Sequence, residues 1–324
     1  MIDILGIGNA IVDVVSRADD AFLSRHDMHK GGMMLIDANA AAALYDAMPP
    51  GIESSGGSAA NTCAVAAAMG ARVAYIGKIA NDQLGGVFQH DMRAIGVTFD
   101  STPLIGGAPT ARCLILVTPD GQRTMNTFLG ACVTLDESDI DPALVAQASV
   151  TYMEGYLFDP PAAQAAFYKA AKLAHAAGRK VALSLSDAFC VNRHRAAFRD
   201  LVQGHVDILF ANETEITALY ETNTWGEAAE AARRDVGLAA LTRSEAGSVI
   251  VTPAETILVE AAPALVVDTT GAGDAYAAGF LAGLTAGKPL AQCGQLGSLA
   301  AAEVIGHYGA RPEADLSGMI ASLE

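Results

Sequence analysis

A chain of 324 residues can form one large domain or two modest ones around a substantial core. Its formal net charge of −16 argues against duplex nucleic acid as a partner, because phosphate backbones need a basic face. Hydrophobic residues make up 52% of the chain, yet no uncharged apolar run reaches the roughly 18–20 residues of a membrane span, so no membrane partner is expected.

The N-terminal run Met1-Ile2-Asp3-Ile4-Leu5-Gly6 reads as a first strand without a basic leader, so no secretory signal is expected. Cys63, Cys113, Cys132, Cys190 and Cys293 are scattered, odd in number and without a CxxC pair. That pattern suits free thiols in a reducing cytoplasm, the expected compartment. His26 and His29 belong to no HExxH or Cys/His cluster, which speaks against a structural metal site.

Short β-branched runs then alternate with Ala-rich stretches. Strands are expected at 2–8, 72–78, 150–153, 181–185, 206–211, 238–241, 249–252 and 257–259, with a further strand-like run at 264–267. Helices are expected at 58–69, 85–95, 162–177, 213–219, 227–236 and 275–286, and a small-residue helix at 298–305. This alternation predicts an α/β fold: a mainly parallel central sheet with helices on both faces. No repeat, low-complexity tract or charged linker divides the chain, so residues 1–324 are expected to form a single domain. Two regions break the rhythm, 14–37 and 97–127, and read as β insertions that pair with each other rather than with the main sheet.

The candidate chemistry follows the same order. Gly6-Ile7-Gly8-Asn9-Ala10-Ile11 invites a dinucleotide-binding reading, but Ile11 stands at the third glycine position and the chain beyond it looks extended. Asn9 and Asp13 are instead presented near the end of the first strand, and Asp13 can accept two hydrogen bonds from vicinal hydroxyls. Gly56-Gly57-Ser58-Ala59-Ala60-Asn61 opens a helix; its glycines let the backbone approach a ligand, and Asn61 offers both donor and acceptor. Arg123 follows an Asp-Gly turn, and its guanidinium either matches a phosphate or is solvated in a hairpin. Tyr156 either stacks on a base or only packs.

Asn212 and Glu215 lie one helical turn apart, as a capping box, as placement for a metal, or as both. The run Asp268-Thr269-Thr270-Gly271-Ala272-Gly273-Asp274 leads into a helix. The amides of Gly271, Ala272 and Gly273 at its head can bind an anion, and Asp274 adds a carboxylate able to take a proton from an attacking hydroxyl. No GxxxxGK[ST] occurs, which excludes a Walker loop.

Asp268 to Phe280, the glycine pair with Asn61, and Asn212 with Glu215 together resemble the ribokinase (PfkB) family of carbohydrate and nucleoside kinases, and the resemblance runs over nearly the full length. It implies a ribokinase-like fold in which segments 14–37 and 97–127 form a small β lid. It implies a transfer of the γ-phosphoryl group of ATP, with Mg²⁺, to a primary hydroxyl, with Asp274 as base and Gly271, Ala272 and Gly273 stabilising charge. Asn9, Asp13, Gly56, Gly57, Asn61, Arg123 and Tyr156 then fall to the acceptor. Asn212, Thr242, Gly247, Gly271, Gly273 and Ser298 fall to the nucleotide, and Glu215 with Asn212 to Mg²⁺, largely through water. Carbonyls near Asp268, Thr270 and Gly309 would seat K⁺. Ser244 departs from the family, which usually has glycine there.

Asn9 with Asp13, the run Lys30 to Asp37 and the tail Gly309-Ala310-Arg311-Pro312 look closest to the adenosine-kinase-like branch, making adenosine the expected acceptor. The alternatives are a kinase of ribose, fructose or 2-keto-3-deoxygluconate and, more remotely, a non-catalytic ligand-binding protein or an NAD-dependent oxidoreductase. A monomer or a lid-mediated homodimer is expected.

Overall fold

The computed structural model describes residues 1–323. The chain opens with β1 (Ile2–Ile7) and β2 (Ile11–Arg17), then α1 (Asp20–Arg25), β3 (Met33–Leu35), α2 (Ala38–Ala47) and β4 (Gly51–Gly56). Next come α3 (Ser58–Ala68), β5 (Val73–Ile76), α4 (Gln83–Ala94), β6 (Ala111–Val117) and β7 (Arg123–Phe128). From α5 (Pro142–Gln147) the alternation is regular: β8 (Ala148–Glu154), α6 (Pro161–Ala176), β9 (Lys180–Ser184), α7 (Ala188–His205) and β10 (Ile208–Asn212). α8 (Glu213–Tyr220), α9 (Trp225–Asp235) and β11 (Leu238–Thr242) continue it. The antiparallel pair β12 (Ser248–Val251) and β13 (Thr256–Val259) precedes α10 (Ala272–Thr285) and α11 (Leu290–Val304).

Eight strands make the main sheet in the order β13-β12-β11-β10-β9-β8-β1-β5, parallel from β11 to β5, with β12 and β13 antiparallel. Parallel strands need crossover helices and bury both faces, so their residues are apolar on both sides. In β10, Ile208 and Phe210 enter the core beneath α3, α10 and α11, while Leu209 and Ala211 enter the core beneath α6, α7 and α8. Five strands make a second sheet, β3-β7-β6-β2-β4. β2 holds it together, paired parallel to β6 and antiparallel to β4.

The α/β architecture, with its mixed but mainly parallel sheet, agrees with the sequence reading. Several local expectations need correction. The run 264–267 is no strand: it is exposed, with Leu265 83% accessible, and Pro263 removes a donor just before it. The helix expected at 298–305 begins at Leu290, so Ser298 lies in its middle. Residue 98 bridges Ala74 of β5, so the insertion beginning at 97 does touch the main sheet. β4, α1, α2, α5 and α7 have no counterpart in the sequence reading. β4 (GIESSG) is mostly polar and glycine-flanked, and α7 contains a non-helical residue, His194 (φ −126°, ψ 26°).

Candidate functional site

The carboxyl edge of a parallel sheet is where ligands bind in open α/β folds. Here Asn9 follows β1, Glu154 ends β8, Asn212 ends β10, and Thr242 lies beside Asn212 in register at the end of β11. Over this edge the heads of α3 and α10 meet.

α10 starts from Gly271, in the left-handed region at φ 77°. The Ala272 amide is used within the turn, donating to the Thr269 carbonyl (3.2 Å). The amides of Gly271 and Gly273 have no acceptor among the described residues. One residue on, Asp274 Oδ1 accepts from Ser58 Oγ (2.6 Å) and Oδ2 from Asn61 Nδ2 (3.2 Å), both on the first turn of α3. Burial pushes the Asp274 carboxyl above its ordinary range, while the hydrogen bonds from Ser58 and Asn61 and the charge of Arg311 pull the other way. A carboxylate so held, beside free amides, can accept a proton close to a bound anion.

The turn from β4 into α3 dictates its glycines. Gly57 has φ 98°, and a Cβ at Gly56 would overlap the Asp13 carboxylate. Asp13, on β2 opposite Ser54, is pushed up to about 6 by burial, against the opposing charges of Arg311 and Arg123. Asn9 donates through Nδ2 to Glu154 Oε1 (2.7 Å), and its buried Oδ1 has no partner among the described residues. Glu154, 1% exposed, also accepts from the Ala59 amide (2.7 Å) and so caps α3, whose own N-cap Gly57 has no side chain to do it. Burial pushes Glu154 up to about 7 despite the donors Ala59 and Asn9, with Asp274 adding a like charge.

Sequence reasoning missed two charged residues here. Glu154 could have been noticed as a lone carboxylate ending the apolar run 148–154. Arg311 lies in a tail whose sequence gives no sign of where it docks. Its Nη1 donates to the Ala60 carbonyl (2.9 Å), and its Nη2 to the Ser55 carbonyl (2.9 Å) and hydroxyl (3.1 Å).

On the other side, Asn212 and Glu215 form a reciprocal capping box at α8: the Glu215 amide donates to Asn212 Oδ1 (2.9 Å), and the Asn212 amide and Nδ2 donate to the Glu215 carboxylate (2.9 and 2.6 Å). Burial pushes Glu215 up to about 7, and the carboxylates of Asp187 and Asp274 add to the rise. Among the described residues no three His, Cys, Asp or Glu side chains converge as a metal cage. A hard cation that keeps several of its waters needs only one or two protein ligands, and Glu215 with Asn212 offers that many at this edge.

Gly247 closes the turn after β11, and Ser244 in that turn is left-handed, at φ 49°. The glycine that the family usually has at position 244 thus has a backbone reason: the position demands a conformation that serine adopts under strain. Tyr156 sits in a 3₁₀ turn after β8, 44% exposed, and feels the charges of Asp187, Asp274 and Glu215. Ser298 is engaged elsewhere, accepting from the Ala262 amide (2.8 Å) and donating to the Glu260 carbonyl (3.1 Å). Arg123 pairs with Asp268. The same carboxylate accepts from the Thr270 amide (3.0 Å) and hydroxyl (2.7 Å) and the Gly309 amide (3.1 Å). All five cysteines are free and buried.

A carboxylate fixed by two side-chain donors, next to unpartnered amides at a helix head, has the geometry to take a proton beside a bound anion. The chain belongs to the pfkB family of carbohydrate kinases, whose profile matches residues 49–315. It is 53% identical to the adenosine kinase from Sinorhizobium meliloti, covering 100% of this chain and 99% of that one, and the two structures superpose with a TM-score of 0.91. A probable sugar kinase from Rhizobium etli is 49% identical over 99% of this chain and 98% of its own, also with a TM-score of 0.91. Adenosine kinase 2 of Arabidopsis thaliana is 27% identical over 94% of each chain.

Proposed function

We propose that this kinase transfers the γ-phosphoryl group of ATP to the primary hydroxyl of a nucleoside, adenosine. The observation that carries the reading is Asp274, held by Ser58 and Asn61 beside the free amides of Gly271 and Gly273. Full-length identity to a bacterial adenosine kinase supports the choice of acceptor. Asp274 takes the proton from the attacking hydroxyl, and the two amides stabilise charge on the transferred group. Asp13, Asn9 and Asn61 orient the ribose, and the half-exposed ring of Tyr156 offers a face to the base.

Glu215 and Asn212 would hold Mg²⁺, largely through water, and the ion would supply charge neutralisation at the phosphates. Thr242 and Gly247 line the nucleotide side. Ser298 acts through the 260–262 backbone it pins rather than by direct contact. Arg123 reaches a phosphate only by leaving Asp268. A monovalent cation would use carbonyls near Thr270 and Gly309, since the Asp268 carboxylate is already taken up by donors. The second sheet acts as a lid that excludes water as a competing acceptor.

ADP release with MgATP, measured across adenosine, ribose, fructose and 2-keto-3-deoxygluconate, tests the assignment. Adenosine is expected to give by far the highest kcat/KM. Ribose or fructose in that place would overturn the nucleoside reading and favour the sugar kinase alternative.

A further inference from the structure

Arg311 comes from the tail after α11, in the run Gly309-Ala310-Arg311-Pro312, and its side chain ends inside the site. Its fork bridges two carbonyls, Ser55 in β4 and Ala60 in α3, and takes the Ser55 hydroxyl as well. Between those carbonyls lie Gly56 and Gly57, the junction of the second sheet with the main domain. Gly56 abuts Asp13, and Ser58 and Asn61 just beyond hold Asp274. One side chain therefore spans the turn that carries Gly56 against Asp13 and Ser58 and Asn61 against Asp274.

We propose that Arg311 is a positioning residue for phosphoryl transfer, strapping the β4–α3 turn and supplying a partly buried positive charge on the side of Asp13 and Asp274. A guanidinium suits this better than an ammonium, because its planar fork satisfies two fixed carbonyls at once. The groups facing it are Asp13 on β2, Cys63 on α3, Tyr75 on β5, Asp91 on α4 and Asp274 on α10, three of them carboxylates. Asp13 is also faced by Arg123, and Asp274 by Glu154, Glu215, Tyr152 and Tyr156. The same charge that favours ionised Asp13 and Asp274 is itself disfavoured by burial.

The proposal rests on the kinase reading, and two variants of the full chain test it with whichever panel acceptor the wild type turns over. Arg311→Gln removes charge and fork: the acceptor KM is expected to rise roughly tenfold or more with the MgATP KM unchanged. The second, steeper break in the acid limb of kcat/KM, that of Asp13 near pH 6, should move up by about one pH unit. Arg311→Lys keeps the charge and loses the fork, so its acid limb stays in place while the acceptor KM still rises. A Gln variant with wild-type acceptor KM and acid limb overturns the proposal, as does equal loss toward both substrates with only a lower Tm. If the Gln variant does not fold, the Lys variant decides: an unchanged acceptor KM rejects the strap. A wild type that phosphorylates nothing sinks the kinase reading instead, and faster amide exchange over residues 55–61 in Arg311→Lys then tests the strap alone, with unchanged exchange rejecting it.

Discussion

Asp274 shows how much one side chain depends on its neighbours. Its two oxygens are already engaged by Ser58 and Asn61, so replacing it with Asn alters proton affinity and charge while keeping a hydrogen-bonding shape. Asp274→Asn is expected to lose on the order of 10³-fold in kcat while acceptor binding, followed by calorimetry, persists. Ser244 makes an independent case. At φ 49° it holds a conformation that glycine adopts freely, so Ser244→Gly should raise stability by about 1 kcal/mol in denaturant titration. The acid limb of kcat/KM belongs at this scale too. In the roles proposed for them Asp13 and Glu215 act ionised, yet burial lifts them to about 6 and about 7. Activity should therefore fall below about pH 7; a profile flat down to pH 5 would contradict the roles given to both.

At the scale of elements, the site depends on how closely α10 approaches α11 and α3. A Cβ at Gly279 would lie 2.6 Å from the Leu296 carbonyl carbon, and one at Gly297 would lie 2.7 Å from the Tyr276 carbonyl oxygen. Gly279→Ala must push the helices apart, and α10 carries Asp274 at its head. The expected result is about 1–3 kcal/mol of lost stability, read by thermal unfolding, together with reduced kcat. The helix heads were legible from sequence because their requirements are local: glycine for an unusual φ, Asn with Glu three residues on for a capping box. β4 was not, because a polar strand has no pattern of its own and exists only because β2 offers it an edge. The run 264–267 failed in the opposite sense: its β-branched residues suit a strand, but no strand pairs with it.

The whole molecule carries buried carboxylates whose proton affinity is raised by folding. Asp13, Glu154 and Glu215 stand at about 6, 7 and 7 in the fold. Between their ordinary values and these, the folded state binds more protons than the unfolded chain, so stability falls as pH rises through that window. Asp82, Asp207 and Asp268 act oppositely: hydrogen bonds outweigh burial and hold them low, so their contribution is lost only as pH drops below the usual carboxylate range. The ligand-free protein should therefore melt several degrees higher near pH 5 than near pH 8, by calorimetry. Magnesium nucleotide should narrow the gap by favouring ionised Glu215. Stability and activity then have opposed pH preferences, as expected where function needs charges that folding disfavours.

The amino-acid sequence by itself determined the alternating α/β order, the glycine-led helix heads and the residue types gathered there, because each follows from contacts within a few positions. Only the tertiary structure decided that Glu154 caps α3, that Arg123 faces Asp268, and that Arg311 spans the β4–α3 turn. Those pairings join residues 95, 145 and more than 250 positions apart. No local pattern encodes them: a buried charge takes whichever partner the packed sheets and helices bring within reach.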